Sequence, residues 1–270
     1  MNGVCALCHK SEKLIDSHFM PKAIYRSISK GHPEHGQNIV WISGHEKSAA
    51  YTSKQAKKHL LCSNCEALFS KNGEGKVLPL MAKPNGFKLA TKIKKFKKLS
   101  GIKDEIWYFP PNDDSALGFM YFAVSIAWRL SSTDWSNYGM PKTKNSIRKE
   151  SMQSFSKFLL GKTELPCNTY LAVYVDNQKV DTPSMSFPTV KNHVGYQHIV
   201  FNIPGLKFSL LTGSNPGSGI HETFAHNETN VYFVSRSLKT HADYSFVSDF
   251  IKNTAVAKGR LAKELSAKNV

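Results

Sequence analysis

The chain has 270 residues, and 41% of them are hydrophobic, which is enough for one large domain or two ordinary ones and argues against extended disorder. The longest apolar run, residues 117–128, is too short to span a bilayer, and residues 1–10 lack the basic and then apolar pattern of a signal peptide. We therefore expect a soluble, cytoplasmic protein that has no membrane partner.

The formal net charge of the chain is +16 at pH 7. An excess of this size most often serves a polyanionic partner, and nucleic acid is the commonest one. A solvated basic surface and an acidic protein partner are the alternatives. The charge therefore predicts nucleic-acid binding and leaves open which surface is used.

Four of the five cysteines form two Cys-x-x-Cys pairs, Cys5/Cys8 and Cys62/Cys65. Without a secretion signal, such pairs favour zinc over disulfides, and two of them complete a closed tetrahedral site of four sulfurs. The alternative is a redox pair, which usually occurs once in a chain beside a βαβ pattern. The fifth cysteine, Cys167, is expected to begin a buried strand rather than to act as a nucleophile.

Three regions of different pattern follow one another along the chain. Residues 1–75 form the cysteine module, residues 76–112 form a basic connector, and residues 113–270 form a domain of helices and strands. The predicted fold class is α+β, with a zinc-bound module followed by a mixed helical and antiparallel β region.

Between and after the cysteine pairs, the module contains three predicted elements. A helix begins at Pro21 and ends at Gly31, because proline is favoured at the start of a helix and glycine at its end. A strand covers residues 39–43. A second helix covers residues 66–71 and ends at the glycine-containing segment 72–75.

The connector is rich in lysine, with seven lysines between residues 88 and 103. Leu89, Ile93 and Phe96 have the spacing of one helical face, which would leave the lysines on the other face. These lysines either bind the phosphate groups of a nucleic-acid backbone or form a solvated helical face. The candidate nucleic-acid contacts, including two in the first helix, are Lys22, Arg26, Lys92, Lys94, Lys95, Lys97 and Lys98.

The third region opens with the strongest helix pattern of the chain, residues 113–130, which is apolar almost all round and therefore central to the core. Asp114 or Ser115 is expected to cap it. A second helix ends at Gly161. Strands follow at residues 169–176, 196–204, 206–213 and 230–237, and residues 243–268 close the chain as one helix with a basic tail.

The module resembles the zinc-knuckle branch of the HNH endonuclease superfamily. The resemblance covers residues 4–75 and is carried by the two cysteine pairs, the segment "DSHFMP" between them and a later Asn. It implies a ββα-metal fold. It also implies that His18 is the general base that activates water for attack on a phosphodiester.

Further site residues follow from this resemblance. Asn38 would orient His18, and Glu66 would bind a catalytic Mg²⁺ or Mn²⁺ that is distinct from the structural zinc. Two residues depart from the family pattern, because Ser17 replaces the metal-binding Asp and Glu66 replaces the last His. Asp16 or Glu74 would have to supply the missing charge.

The whole chain also resembles a group of uncharacterised bacterial proteins with "SHxxPK", "CxxCE" and a later "WR". A role in bacterial phage defence is a further hypothesis, which rests on analogy alone. Two functions follow as hypotheses. The first is a metal-dependent HNH-like nuclease that cuts DNA or RNA. The alternative is a non-catalytic zinc protein that binds nucleic acid or recruits a protein partner through its C-terminal region.

Overall fold

The computed structural model describes the chain with gaps. Within the described residues it forms a mixed α+β fold whose strands lie in three sheets, which confirms the predicted class. No described helix combines the length and the apolar content that crossing a bilayer requires. The described residues are 1–31, 38–83, 85–98, 105–108, 113–178, 183–215 and 230–268.

The first sheet carries both cysteine pairs. Its antiparallel strands lie in the order β1-β2-β5, with Leu14 opposite Cys62 and His18 opposite Lys57. The first cysteine pair precedes β2 and the second begins at the end of β5, so that this pairing brings the two knuckles together. The strand bounds are β1 (Asn2–Val4), β2 (Ser11–His18) and β5 (Lys57–Cys62).

A second, small sheet lies beside the first helix. The predicted helix and strand are confirmed as α1 (Lys22–Gly31) and β3 (Ile39–Ser43). β3 pairs with β4 (Ser48–Thr52), and β13 (Val256–Ala257) adds in parallel to β4. The C-terminal part of the chain therefore returns to the N-terminal region.

The second knuckle opens a helix that is longer than predicted. This helix, α2 (Ser63–Phe69), packs against β2 and β5 and continues through a π-helical turn (Ser70–Glu74) into α3 (Gly75–Val77). The prediction that it ends at residues 72–75 is wrong. An ideal Cβ at Gly73 would lie 3.1 Å from the backbone of Phe122, so this glycine permits close helix packing instead of ending the helix.

The central helix α5 (Asp114–Ser132) is confirmed, and most of its side chains are buried. Its cap is Asp113 and not Asp114 or Ser115, because the Asp113 carboxylate accepts a hydrogen bond of 2.6 Å from the Ser115 backbone N–H. α5 packs against the second predicted helix of this region, α6 (Lys149–Leu159), which ends before Gly161, and against the large sheet.

The large sheet has seven strands in the order β6-β7-β12-β8-β11-β10-β9, and only the β12–β8 pair is parallel within the described residues. All four predicted strands are present, whereas β7 and β9 were not predicted. β7 has four residues, and β9 contains a proline and only one fully buried side chain. The bounds are β6 (Lys97–Lys98), β7 (Glu105–Tyr108), β8 (Thr169–Val175), β9 (Ser186–Asn192), β10 (Tyr196–Ile203), β11 (Leu206–Gly213) and β12 (Val231–Ser235).

The basic connector is helical only in its first part. α4 (Lys88–Lys92) and a 3₁₀ turn (Ile93–Lys95) bury Leu89 and Ile93 as expected. The prediction of one helical face through Phe96 is wrong, because β6 (Lys97–Lys98) pairs with β7 at the edge of the large sheet. Backbone pairing with a neighbouring strand has overridden the local helical pattern.

Two further predictions are corrected in the third region. The closing segment is two helices, α7 (Ala242–Asn253) and α8 (Gly259–Lys268), separated by β13, and not one helix. The β-branched and glycine residues between them suit a strand and a new helix start better than a continuous helix. Cys167 is exposed and precedes β8 by two residues instead of beginning a buried strand.

Candidate functional site

The four paired cysteines form one cluster at the N-terminal end of the first sheet. The sulfur atoms of Cys5, Cys8, Cys62 and Cys65 all lie within 4.8 Å of one another, and all four cysteines are free thiols. The Cys8 and Cys62 sulfurs are 3.8 Å apart, too far for a disulfide. Sulfurs bound at 2.3 Å to one tetrahedral ion such as zinc are separated by about 3.8 Å. The cluster is therefore positioned to bind a metal ion.

The local backbone explains why the first knuckle closes on itself. The His9 backbone N–H donates to the Cys5 carbonyl oxygen at 2.9 Å, and His9 has a left-handed backbone with a φ of 60°. The Cys5 backbone N–H in turn donates to the Lys10 carbonyl oxygen at 2.9 Å. This tight turn aims the sulfur atoms of Cys5 and Cys8 toward the second pair, where Cys65 lies in the first turn of α2.

The thiols of the cluster differ in acidity. Burial raises the pKa of Cys5, but hydrogen bonds from three backbone N–H groups outweigh it and lower the pKa to about 7. Burial raises the pKa of Cys65, and hydrogen bonds with the neighbouring thiols raise it further. A bound divalent cation would deprotonate such thiols and neutralise the thiolates. The three N–H donors belong to Leu7, Cys8 and Cys62.

His18 lies at the opposite end of β2 from the cysteine cluster. Its side chain is half-buried, and its Nε2 atom is 2.9 Å from Oε1 of Gln55. When Nε2 carries the proton and donates to this oxygen, Nδ1 is the free base. The contact with Gln55 therefore fixes the orientation of the His18 ring.

The carboxylate of Glu66, the predicted ligand of a catalytic ion, lies beside Arg129 of α5. The Arg129 guanidinium donates to Glu74 at 3.0 Å and lies 3.8 Å from Glu66 Oε1. Arg129 is only 1% exposed, and its guanidinium stacks 4.7 Å above the Phe69 ring. The structure thus joins Glu66 and Glu74 to a buried cation, and it records no contact between either carboxylate and His18 among the described residues.

The two residues before His18 occupy opposite faces of β2. Ser17 is fully buried, and its hydroxyl has no hydrogen-bond partner among the described residues. Asp16 is exposed and forms an ion pair with Lys57 of β5. Apart from the four cysteines, the described residues contain no group of three His, Cys, Asp or Glu side chains close enough to hold one ion. A catalytic Mg²⁺ or Mn²⁺ therefore has no preformed set of protein ligands there.

Asn38, the predicted orienting residue, lies directly before β3 and is half-buried. β3 belongs to the small sheet, whereas His18 lies in the first sheet. The side chain seen to contact the His18 ring is that of Gln55. Gln55 was missed because it lies in the loop before β5, and only the pairing of β2 with β5 brings it opposite His18.

The basic residues predicted in the first helix lie on one face of α1. Lys22, Arg26 and Lys30 are all exposed, and their spacing of four residues places them one above another. The structure records no ion pair for any of the three within its described part. The sequence reasoning named Lys22 and Arg26 and missed Lys30, which the same spacing would have included.

The lysines of the connector differ from one another in their exposure and contacts. Lys94 and Lys95 are exposed, and Lys92 reaches the Ser115 hydroxyl at 3.4 Å. Lys98 forms an ion pair of 2.9 Å with Glu105 and lies over the Trp107 ring, so its charge is partly neutralised. The side chain of Lys97 lies outside the described part of the chain.

A protein partner for the C-terminal region stays a prediction. α7 carries four large apolar side chains that are between 43% and 72% exposed. These side chains are Tyr244, Phe246, Val247 and Ile251.

Comparisons with protein-family models, with curated proteins and with solved structures give no match for this chain.

Proposed function

We propose that this protein is a zinc-stabilised nucleic-acid-binding protein that binds phosphates along the exposed face of α1. The observation that carries the proposal is the row of Lys22, Arg26 and Lys30, which are exposed and have no acidic partner among the described contacts. Unpaired cations in a row suit the regular charges of a phosphate backbone, and they gain free energy by releasing counterions.

The zinc supports this surface through the first sheet. Thiolates are the preferred ligands of structural Zn²⁺, and the four cysteines hold the ends of β2 and β5 at one point. α1 follows β2 after three residues, and the buried Phe19 donates its backbone N–H to the Ala56 carbonyl oxygen at 2.8 Å. The metal therefore stabilises the sheet from which α1 is presented.

Salt-dependent binding tests the proposal. Fluorescence anisotropy with labelled duplex DNA and duplex RNA of the same sequence should show affinity that falls linearly on a logarithmic salt scale. Replacing Lys22, Arg26 and Lys30 by Gln should reduce the salt slope by about 2–3, close to one per lost phosphate contact.

A variant of equal charge provides the control for this experiment. Lys144→Gln, Lys252→Gln and Lys263→Gln remove three exposed lysines outside α1, and the structure records no ion pair for them within its described part. The control should keep the slope of the wild-type protein. An equal decrease of the salt slope in both variants would mean that only the net charge matters. If the wild-type protein does not bind nucleic acid at all, the proposal is wrong.

His18 favours a second candidate function, HNH-like hydrolysis of a phosphodiester. Its ring is oriented by Gln55 at 2.9 Å and lies three residues before Pro21, where α1 is about to begin. A phosphate bound on α1 would thus lie near a histidine that can accept a proton from water. Because Glu66 and Glu74 contact Arg129, a divalent ion would depend mainly on phosphate oxygens and water. A role in phage defence is compatible with either candidate and rests on analogy alone.

Cleavage of plasmid DNA and of RNA with Mg²⁺ or Mn²⁺ tests the second candidate. If it is correct, His18→Ala abolishes cleavage while zinc content stays unchanged, and His59→Ala does not. His59 is a matched control, since it is an exposed histidine of the same sheet. A zinc-loaded wild type that binds nucleic acid and cleaves neither substrate would reject hydrolysis and leave the binding function standing.

A further inference from the structure

A second basic site lies between the first knuckle and α6. It is a cavity that is wide open to solvent, with a volume of about 470 Å³, which lies within the range of small-ligand sites. Five of its six lining residues come from α6, and the sixth is His9 of the knuckle. The lining residues are His9, Lys149, Met152, Gln153, Ser156 and Lys157.

The charge of this cavity is of one sign. Lys149, Gln153 and Lys157 follow one another at intervals of four residues, so they lie on one face of α6. The structure records no ion pair for either lysine within its described part, and no carboxylate lines the cavity. Two unpaired ammonium groups beside an amide donor therefore favour an anionic oxygen ligand.

The site also offers contacts for a group larger than one phosphate. The Cα atoms of Lys149 and Lys157 are separated by about 12 Å along the helix, at 1.5 Å per residue. Met152 and the His9 imidazole add a polarizable thioether and a planar ring, both of which pack against aromatic rings. Phosphate and a flat ring occur together in nucleotides.

We propose that this cavity binds a phosphate-bearing nucleotide, either free or at the end of a nucleic-acid strand. This site is separate from the α1 surface. His9 precedes β2 and α1 follows β2, so the two sites lie at opposite ends of this strand. The eight residues of β2 span about 26 Å at 3.3 Å per residue. The ligand meets the two lysines through its phosphate and the His9 side of the cavity through its base.

Isothermal titration calorimetry of the zinc-loaded protein tests the site with the four nucleoside 5′-monophosphates and the matching nucleosides. At least one monophosphate should bind, and its nucleoside should bind at least tenfold more weakly, because each charge-assisted hydrogen bond contributes roughly 10- to 100-fold in affinity. A 5′-phosphorylated decathymidylate and its unphosphorylated form separate the two sources of ligand. Preference for the phosphorylated strand indicates a strand end, and binding of monophosphates alone indicates a free nucleotide.

Variants locate the binding to this cavity. Lys149→Gln with Lys157→Gln should weaken binding at least tenfold, and Lys252→Gln with Lys263→Gln, which removes the same charge elsewhere, should leave it unchanged. His9→Asn keeps a residue that tolerates the left-handed backbone and should weaken binding while zinc content is retained.

Two results would overturn the proposal. One is that neither the monophosphates nor the phosphorylated strand bind, and the other is that both double lysine variants weaken binding equally. The variant that lacks Lys22, Arg26 and Lys30 should still bind the nucleotide. The outcome for this cavity is therefore distinguishable from the outcome for the α1 surface.

Discussion

Replacing Glu74 by Leu should destabilise the protein far more than replacing Glu66 by Leu. Glu74 accepts at 3.0 Å the only hydrogen bond that the described structure gives to the Arg129 side chain, whereas Glu66 lies 3.8 Å away. Because Arg129 is 1% exposed, losing Glu74 leaves a buried cation without a hydrogen-bonded partner. We expect a cost of about 3–5 kcal/mol for Glu74→Leu and about 1 kcal/mol or less for Glu66→Leu.

Urea unfolding followed by tryptophan fluorescence, in buffer with excess zinc, measures both costs. For a chain of this size, the larger one corresponds to a Tm lower by about 6–20 °C. The double variant Arg129→Met with Glu74→Leu should recover most of the stability, since a buried ion pair can be replaced by apolar side chains of similar volume at little cost. Equal losses for Glu66→Leu and Glu74→Leu, or no recovery in the double variant, would refute this reasoning.

Four further outcomes are expected. Gly73→Ala should lower the free energy of unfolding, because the added Cβ would lie 3.1 Å from the Phe122 backbone. Gly44→Ala should change it little, because a Cβ at Gly44 meets nothing within 4 Å. Thermal unfolding compares the two variants, and equal shifts in Tm would contradict the close packing at Gly73. Asp113→Ala should cost about 1 kcal/mol through loss of the helix cap, and an unchanged urea midpoint would show that the cap is dispensable. Cys65→Ser should lower zinc affinity and expose the N-terminal module to proteolysis, whereas Cys167→Ser should not, since Cys167 lies outside the cluster. Zinc binding by the wild type should weaken as pH falls, because protons compete for the thiolates, and a titration with a colorimetric zinc indicator that shows no such change would argue against thiolate ligands.

The cysteine cluster could be predicted from the sequence because its signal is local. Because only two residues separate the cysteines of each pair, few backbone conformations direct both sulfurs to one side. Two such pairs supply the four sulfur ligands of one tetrahedral ion. The helix α5 was predictable for a similar reason, since an apolar run of this length has to be buried. The inference about α5 did not depend on knowing which distant segments meet, and the inference about the cluster required only that both cysteine pairs bind one ion.

The surroundings of Glu66 could not be predicted, because they depend on a long-range contact. Arg129 lies 63 residues further along the chain. From the sequence alone, a carboxylate directly after a cysteine pair could equally well be a metal ligand or one half of an ion pair. The carboxylate that accepts a hydrogen bond from Arg129 is that of Glu74, and Glu66 lies further from the guanidinium. The prediction that the helix ends near Gly73 was wrong for a related reason, since glycine can either end a helix or let two helices pack closely.

The central claim is that the four cysteines hold one structural zinc ion. Metal analysis of the purified protein by mass spectrometry, together with the variant Cys62→Ser and Cys65→Ser, tests it directly. We expect about one zinc ion per wild-type chain and nearly none in the double variant. Wild-type protein that is folded without zinc, or a double variant that keeps its full zinc content, would contradict it.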